Sequence, residues 1–153
     1  MLRHAIRSRT SRLVRDRIGE LSKIRVLLAD DHGDMLDAVA LQLVSEFDVV
    51  GTVTNGKALL SAAERLKPDV VIVDISMPIL NGIEAVRRLK ESGSQARVVF
   101  LTVHETSDYV HAALATGALG YVVKPRLGVD LGAAINAAHA GRSYLSPSIA
   151  PKD

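Results

Sequence analysis

Polar side chains stand at the ends of four short apolar runs that have the composition of buried β-strands. They are the acids Asp30, Asp31 and Asp74, the hydroxyl of Thr102 and the ammonium of Lys124. Carboxylates that lie close together repel one another, and a divalent cation that prefers oxygen ligands, such as Mg²⁺, removes that cost. A lysine and a hydroxyl beside such a cation suit the oxygens of a phosphoryl group. If the fold gathers them, these residues predict a phosphoryl-handling site with Asp74 as the acceptor.

An alternation of strand-like and helix-like segments would bring these side chains to one edge of a sheet. Strands are predicted at Arg25–Ala29, Asp48–Val53, Val70–Val73, Arg97–Thr102 and Gly120–Val123. Helices are predicted at about Met35–Glu46, Gly56–Leu66, Gly82–Ser92, Ser107–Thr116 and Leu127–Ala140. Most of the strands are continuous apolar runs, which is typical of a parallel sheet buried on both faces. The pattern predicts a doubly wound α/β domain, in which ligands bind beyond the carboxyl ends of the strands.

Length and composition agree with one such domain. The chain has 153 residues, of which 48% are apolar and 3% aromatic, and this is enough for a core of aliphatic side chains. The chain has no cysteine, which excludes disulfides, thiolate metal sites and a cysteine nucleophile. No apolar run reaches the roughly 18 residues that a membrane span needs, so a cytoplasmic location is expected.

The stretch from Ile24 to about Ser146 resembles the receiver domain of two-component response regulators. The residues that carry the resemblance, in order along the chain, are the pair Asp30-Asp31, Asp74 within DISMPILNG, Thr102, Tyr121 and Lys124-Pro125. The segments LTVHE and HAGRSYLSP are most similar to the subfamily that carries a LuxR-type helix-turn-helix, a DNA-binding domain that is not expected in this chain. The resemblance implies a flavodoxin-like (βα)5 fold with a five-stranded parallel sheet of order 2-1-3-4-5.

The resemblance implies that Asp74 is modified by a phosphoryl group from the phosphohistidine of a sensor histidine kinase. It also implies that Mg²⁺ is held by Asp31, Asp74 and the backbone carbonyl of Ser76. Asp30 would act on the metal mainly through a bound water. The chain would then be a signalling domain that catalyses its own phosphorylation and dephosphorylation, rather than an enzyme that acts on a separate substrate.

The resemblance also implies a switch. Thr102 and Lys124 would bind the phosphoryl group, and Tyr121 would turn inward when Thr102 moves. The surface of the fourth helix and the fifth strand would then control contacts with a partner or with a second copy of the chain in a homodimer. Direct contact of this chain with nucleic acid is not expected.

Other interpretations of these residues remain open. The pair of acids could be a helix cap and a loop acid, Lys124 a solvated turn residue, and Tyr121 an ordinary strand aromatic. His32 and His104 are expected to be plain loop positions, because Mg²⁺ prefers oxygen. The segment DDHGDM also approaches the D-x-H-x-x-G pattern of cobalamin-binding domains, but its last position is Met35.

Two other functions compete with the signalling domain. One is an α/β hydrolase or phosphatase with an aspartate nucleophile, which usually carries a general acid two residues further on, where this chain has Ser76. The other is a receiver-like module that only binds a partner. The complete set of acids together with Lys124 argues against that module.

The first 22 residues are predicted to be a basic extension to a domain at residues 23–146, with a tail at residues 147–153. Residues 1–23 carry seven basic and two acidic residues, so the remaining chain is net acidic although the whole chain has a charge of +2. The extension is interpreted as an amphipathic helix, a transit peptide or a disordered, dispensable tail. Its apolar residues share one side of a helical wheel: Leu2, Ile6, Leu13, Val14, Ile18 and Leu21.

Overall fold

The apolar runs of the sequence form a parallel sheet with helices on both faces. The computed structural model describes residues 13–15 and 21–150. The strands are β1 (Leu13–Arg15), β2 (Leu21–Lys23), β3 (Arg25–Ala29), β4 (Asp48–Val53), β5 (Val70–Val73), β6 (Arg97–Thr102), β7 (Gly120–Val123) and β8 (Tyr144–Leu145). The helices are α1 (Gly33–Leu43), α2 (Gly56–Leu66), α3 (Gly82–Glu91), α4 (Ser107–Leu114) and α5 (Leu127–His139), and a 3-10 turn at Lys124–Arg126 precedes α5.

The main sheet has the order β4-β3-β5-β6-β7-β8, and all its neighbouring strands are parallel. Its first five members confirm the predicted order 2-1-3-4-5, but the prediction of five strands is wrong because β8 adds a sixth at the edge. This strand has two residues, too few to show an apolar pattern. The amide of Tyr144 donates to the carbonyl of Leu119, and the amide of Ser146 donates to that of Tyr121, both at 2.9 Å.

Two hydrophobic cores, one on each face of the sheet, explain why the strands are continuous apolar runs. Val71 and Val73 of β5 pack into a core with α2, α3 and α4. Val70 and Ile72 of the same strand pack into the opposite core with α1 and α5. Because successive side chains of a strand point to opposite faces, a strand covered on both faces must be apolar at every position.

The helices follow the prediction closely, with one shift. Four of the five begin at the predicted residue, whereas α1 spans Gly33–Leu43 instead of Met35–Glu46. The described part of the chain contains no helix with the length and apolar character needed to cross a membrane.

The described parts of the N-terminal extension are strands. β1 and β2 pair antiparallel, with Leu13 opposite Lys23 and Arg15 opposite Leu21. The amphipathic helix is therefore not the structure of these two segments, whose backbones pair with each other as antiparallel strands. The remainder of the extension, residues 1–12 and 16–20, lies outside the described residues, as do residues 151–153.

The boundary predicted at residue 146 stays a prediction. Ser146 is fully buried. Ile149, three residues further on, packs against the core that contains α2, α3 and α4. The domain packing therefore extends into the segment that was interpreted as a tail.

Close packing at the start of α3 gives a stability prediction. A Cβ atom on Gly82 would overlap the carbonyl oxygen of Asp74, a backbone atom that cannot turn aside. Gly82→Ala should therefore lower the free energy of unfolding by about 1–3 kcal/mol, measured by urea denaturation. Gly128→Ala in α5 is the matched control, because a Cβ there meets nothing within 4 Å. It should be neutral or stabilise by up to about 1 kcal/mol. Equal unfolding free energies of the two variants would contradict the close approach.

Candidate functional site

The carboxyl ends of β3 and β5, which are neighbours in the sheet, bring the predicted acids together. Asp30 and Asp74 are 5% and 4% exposed, and their amides continue the sheet by donating to the carbonyls of Val53 at 3.1 Å and Ala29 at 2.9 Å. Asp31 is more open, with 32% of its side chain exposed. Ligand atoms of these three acids and of His32 all lie within 4.8 Å of one another. The sheet thus holds the acid cluster at the edge where it was predicted.

Lys124 neutralises the two buried acids together. Its Nζ atom lies 2.7 Å from Oδ2 of Asp30 and 2.9 Å from Oδ2 of Asp74, and its side chain is 9% exposed. Burial by itself lowers the pKa of Lys124, but hydrogen bonds and charge attraction from the two carboxylates outweigh it, so the pKa lies above its usual value. Three carboxylates against one ammonium leave two negative charges uncompensated when His32 is neutral.

His32 belongs to the acid cluster, although the sequence suggested a plain loop position. Its Nδ1 atom lies 3.1 Å from Oδ1 of Asp30 and 3.0 Å from Oδ1 of Asp31. Its amide also donates to Oδ1 of Asp30 at 2.9 Å. The signal that the sequence carried was the position of the imidazole directly after two acids; the direction of the ring was not readable from it.

Thr102 and Tyr121, the predicted switch residues, are linked through the backbone of His104. The hydroxyl of Thr102 accepts from the amide of His104 at 3.3 Å, and the hydroxyl of Tyr121 donates to the carbonyl of His104 at 2.7 Å. Both side chains are fully buried. Burial, followed by the charge of Asp74, raises the pKa of Tyr121 to about 12, so its hydroxyl stays a donor at neutral pH. The ring of Tyr121 lies inward in this structure, and its movement on phosphorylation stays a prediction.

Ser76 and His104 join the two loops that flank the site. The hydroxyl of Ser76 lies 2.7 Å from Nε2 of His104, whose ring stacks on Tyr109 at 4.0 Å between centroids. The amide of Ser76 donates to Oδ1 of Asp74 at 3.4 Å. The role predicted for the carbonyl of Ser76 at a metal stays a prediction.

An open cleft gives access to this edge of the sheet. Its volume is about 470 Å³, and its lining residues include Asp31, Ser76, Met77 and Tyr109. A cleft of this kind, at the carboxyl ends of parallel strands, is the usual position of a ligand in an open α/β fold.

The donor set fits Mg²⁺. The acids supply hard oxygen ligands, the two uncompensated negative charges match a divalent cation, and the exposure of Asp31 leaves room for the waters that Mg²⁺ retains. Asp30, Asp31 and Asp74 are the side chains that would hold it.

The doubly wound sheet and the acids at its carboxyl edge define an α/β protein of flavodoxin-like fold with a polar site at the strand ends. Residues 26–136 match the family described as response regulator receiver domain. The chain belongs to this family, as the sequence predicted.

Relatives give the same assignment. Response regulator GacA of Pseudomonas viridiflava is 38% identical over 130 residues, which are 83% of this chain and 60% of that protein. A two-component response regulator of the LuxR family from Aurantimonas sp. SI85-9A1 has a TM-score of 0.77 and 31% identity, covering 84% of this chain and 93% of that chain. The isolated REC domain of RcsB from Salmonella enterica serovar Typhimurium, solved with the phosphomimetic BeF3−, has a TM-score of 0.77 and 26% identity over 84% of this chain and 96% of that chain.

The predicted likeness to LuxR-type regulators is therefore confirmed among the homologues. The chain spans about 60% of the length of the curated relatives that it matches.

Magnesium should stabilise the fold through the acid cluster. At ten times its dissociation constant, Mg²⁺ should raise the free energy of unfolding by about 1.4 kcal/mol. Asp31→Asn should reduce this gain, because it removes one of the three negative charges. Asp37→Asn, at an exposed aspartate of α1, is the matched control and should keep it. Urea denaturation with MgCl2, against NaCl of equal ionic strength, measures both; an undiminished gain in Asp31→Asn would remove Asp31 from the metal site.

Proposed function

We propose that the chain accepts a phosphoryl group on Asp74 from the phosphohistidine of a sensor histidine kinase and passes on the signal by protein contact. The observation that carries the proposal is the ammonium of Lys124, which lies between the buried carboxylates of Asp30 and Asp74 in a chain of the receiver family. A phosphoryl donor that enters the cleft beside Asp31 and Ser76 would meet a nucleophile and a positive charge already placed side by side.

The transfer balances with the phosphohistidine and Asp74 alone and needs no further reagent. A carboxylate oxygen of Asp74 attacks phosphorus, the P–N bond of the phosphohistidine breaks, and the electron pair of that bond stays on the histidine nitrogen. The signal ends by hydrolysis: water attacks the phosphorus of the acyl phosphate, the P–O bond to Asp74 breaks, and inorganic phosphate and the carboxylate are released. Phosphoryl transfer needs mainly positioning and neutralisation of charge.

Each group of the site has a place in this reaction. When bound, Mg²⁺ supplies positive charge to the phosphoryl oxygens. Lys124 turns its ammonium from the Asp74 carboxylate toward a phosphoryl oxygen, while its contact with Asp30 keeps it at the strand edge. Thr102 donates its hydroxyl to a second phosphoryl oxygen. The hydrolase alternative is not supported, since the position of its general acid is held by Ser76, whose hydroxyl is bonded to His104.

The hydrogen bonds of His104 support a route for the switch. When the hydroxyl of Thr102 turns toward the phosphoryl group, it gives up the amide of His104, which it holds at 3.3 Å. The loop that runs from His104 to the start of α4 then loses one of its attachments to β6. The surface formed by α4 and β7 changes with it, and this change is read by a second copy of the chain or by a separate protein. Tyr121, which is fully buried, carries the movement through its bond to the carbonyl of His104.

Phosphorylation should require Asp74. Acetyl phosphate with Mg²⁺ should add one phosphoryl group to the wild-type chain, detected by intact-protein mass spectrometry, and Asp74→Asn should take up none. Asp37→Asn, which lies on α1, controls for the loss of a charge and should be phosphorylated as wild type. Uptake of one phosphoryl group by Asp74→Asn would assign the modification to another residue.

The switch should require the hydroxyl of Thr102. Thr102→Ala should still be modified at Asp74, but beryllofluoride should no longer shift the NMR signals of the α4–β7 surface, because the bond that moves the loop is missing. Thr102→Ser retains the hydroxyl and is the matched control, in which the shifts should persist. Shifts in Thr102→Ala as large as those of wild type would rule out this route.

A further inference from the structure

A second polar cluster lies beside the candidate site and outside the mechanism proposed above. It consists of Arg126, Asp130, Tyr144 and Ser146, and we call it the Asp130 cluster. Asp130 lies in the first turn of α5 and is fully buried. A charge without solvent is costly unless it is paired and hydrogen-bonded, so the contacts of this carboxylate require an explanation.

Both oxygens of Asp130 are satisfied. Arg126 donates from Nε and Nη2, each at 3.1 Å, Tyr144 donates its hydroxyl at 2.7 Å, and Ser146 donates its hydroxyl at 2.8 Å. The bond to Arg126 above all, and then those to the hydroxyls, hold the pKa of Asp130 below its usual value, although burial opposes them. The carboxylate thereby joins three pieces of chain: the first turn of α5, the 3-10 turn and the edge strand β8.

Lys124 lies between two attachments of this cluster. On one side, the amide of Val123 donates to the hydroxyl of Ser146 at 3.1 Å, and that hydroxyl in turn donates to Asp130. On the other side, the side chain of Arg126 is bound by the same carboxylate. The backbone just before Lys124 and the side chain two residues after it therefore lead to a single buried group.

We propose that Asp130 is a positioning residue for Lys124: its cluster fixes the turn that carries the lysine and thereby sets how well the ammonium meets a phosphoryl group on Asp74. The inference rests on the proposed function and adds to it a residue and a segment, β8, outside the acid cluster. Positioning of this kind matters because a misplacement of about 1 Å in a phosphoryl-binding group can reduce a rate by about a hundredfold.

Stability alone is a weaker reason for the cluster. The ion pair is buried only on the side of Asp130, because the side chain of Arg126 is 43% exposed. An ion pair that is partly open to solvent contributes little to stability. The cluster holds the 3-10 turn that begins with Lys124, whose ammonium makes two contacts, at 2.7 Å and 2.9 Å. Those contacts require a fixed backbone at the base of a long, flexible side chain.

Positioning implies a reciprocal effect on β8. If the Asp130 cluster favours the position in which Lys124 binds an anion, then an anion bound by Lys124 must favour the cluster by the same factor. The amides of Tyr144 and Ser146 report on it, because they hold β8 to the carbonyls of Leu119 and Tyr121. Their hydrogen exchange should slow when the anion binds.

The test compares Asp130→Asn with wild type, using the full chain and beryllofluoride with Mg²⁺ as the probe. The variant is nearly isosteric and removes the charge that Arg126 binds. Its affinity for beryllofluoride, followed by ¹⁹F NMR, should fall about fivefold or more, while its affinity for Mg²⁺ alone should not fall, because the acid cluster is intact. Binding of beryllofluoride should no longer slow exchange at Tyr144 and Ser146. Asp37→Asn on α1 is the matched control and should behave as wild type.

Tyr144→Phe keeps the inference testable if Asp130→Asn does not fold, since it removes one donor and leaves Asp130 its other three hydrogen bonds. It should weaken beryllofluoride binding in the same direction, and again without a loss of Mg²⁺ affinity. Equal weakening of Mg²⁺ and beryllofluoride binding in a folded variant would indicate general loosening and overturn the inference, and so would unchanged affinities and exchange. If wild type itself binds no beryllofluoride, the proposed function fails, whereas a wild type that binds beside an unaffected variant refutes the positioning role alone.

Discussion

The ammonium of Lys124 between two buried carboxylates is the interaction on which the site depends. Without it, Asp30 and Asp74 would face each other as unpaired charges at the edge of an apolar sheet, an arrangement that costs several kcal/mol. The order of the strands places the backbone of Lys124 far from the two carboxylates. β6 separates β5 from β7, a distance of about 10 Å at the usual strand spacing, so the side chain of Lys124, the first residue after β7, must reach across the end of β6. The long side chain of a lysine suits that reach.

The Asp130 cluster and the acid cluster differ in how far their charges and hydrogen-bonding groups are paired. In the Asp130 cluster, both carboxylate oxygens accept hydrogen bonds from Arg126, Tyr144 and Ser146. The acid cluster has an excess of negative charge and one acid, Asp31, that is partly open to solvent. Proteins tolerate uncompensated charge where a ligand supplies the compensation. The contrast between the two clusters therefore distinguishes the candidate ligand site from a set of contacts that fixes the turn after β7.

Much of the site was predictable because the strands are unambiguous. Runs such as Val70–Val73, which are apolar at every position, leave no choice of face, and parallel strands bring their carboxyl ends to one edge. The position of Asp74 beside Asp30 follows from those two facts. The strand β8 was not predictable, because two residues are too few to show the alternating or continuous apolar pattern of a strand.

The remaining features of the site were not predictable, because they depend on the directions of side chains and on partners that are distant in the sequence. The link from Thr102 to Tyr121 passes through backbone atoms of His104, which have no signature in a sequence. Asp130 resembles an ordinary acid in the first turn of a helix. Its partners Tyr144 and Ser146 come 14 and 16 residues later, and only the packing of α5 against the edge of the sheet brings them to it. The one hint in the sequence was its place between Val129 and Leu131, within an apolar stretch.

The buried ring of Tyr121 has a consequence for how much free energy signalling must supply. Moving a large side chain from water into a core is worth about 1.5–3 kcal/mol. A switch that required this movement would have a correspondingly large difference in free energy between its two states. In this structure the ring is fully buried, and under the proposed switch what changes is a hydrogen bond, with a net value of about 1 kcal/mol. A difference of that size corresponds to roughly a fivefold ratio of populations. Under the proposed function, a domain that switches on a difference of this size would populate its signalling arrangement without phosphorylation, and its resting output would be a set fraction of its stimulated output rather than zero.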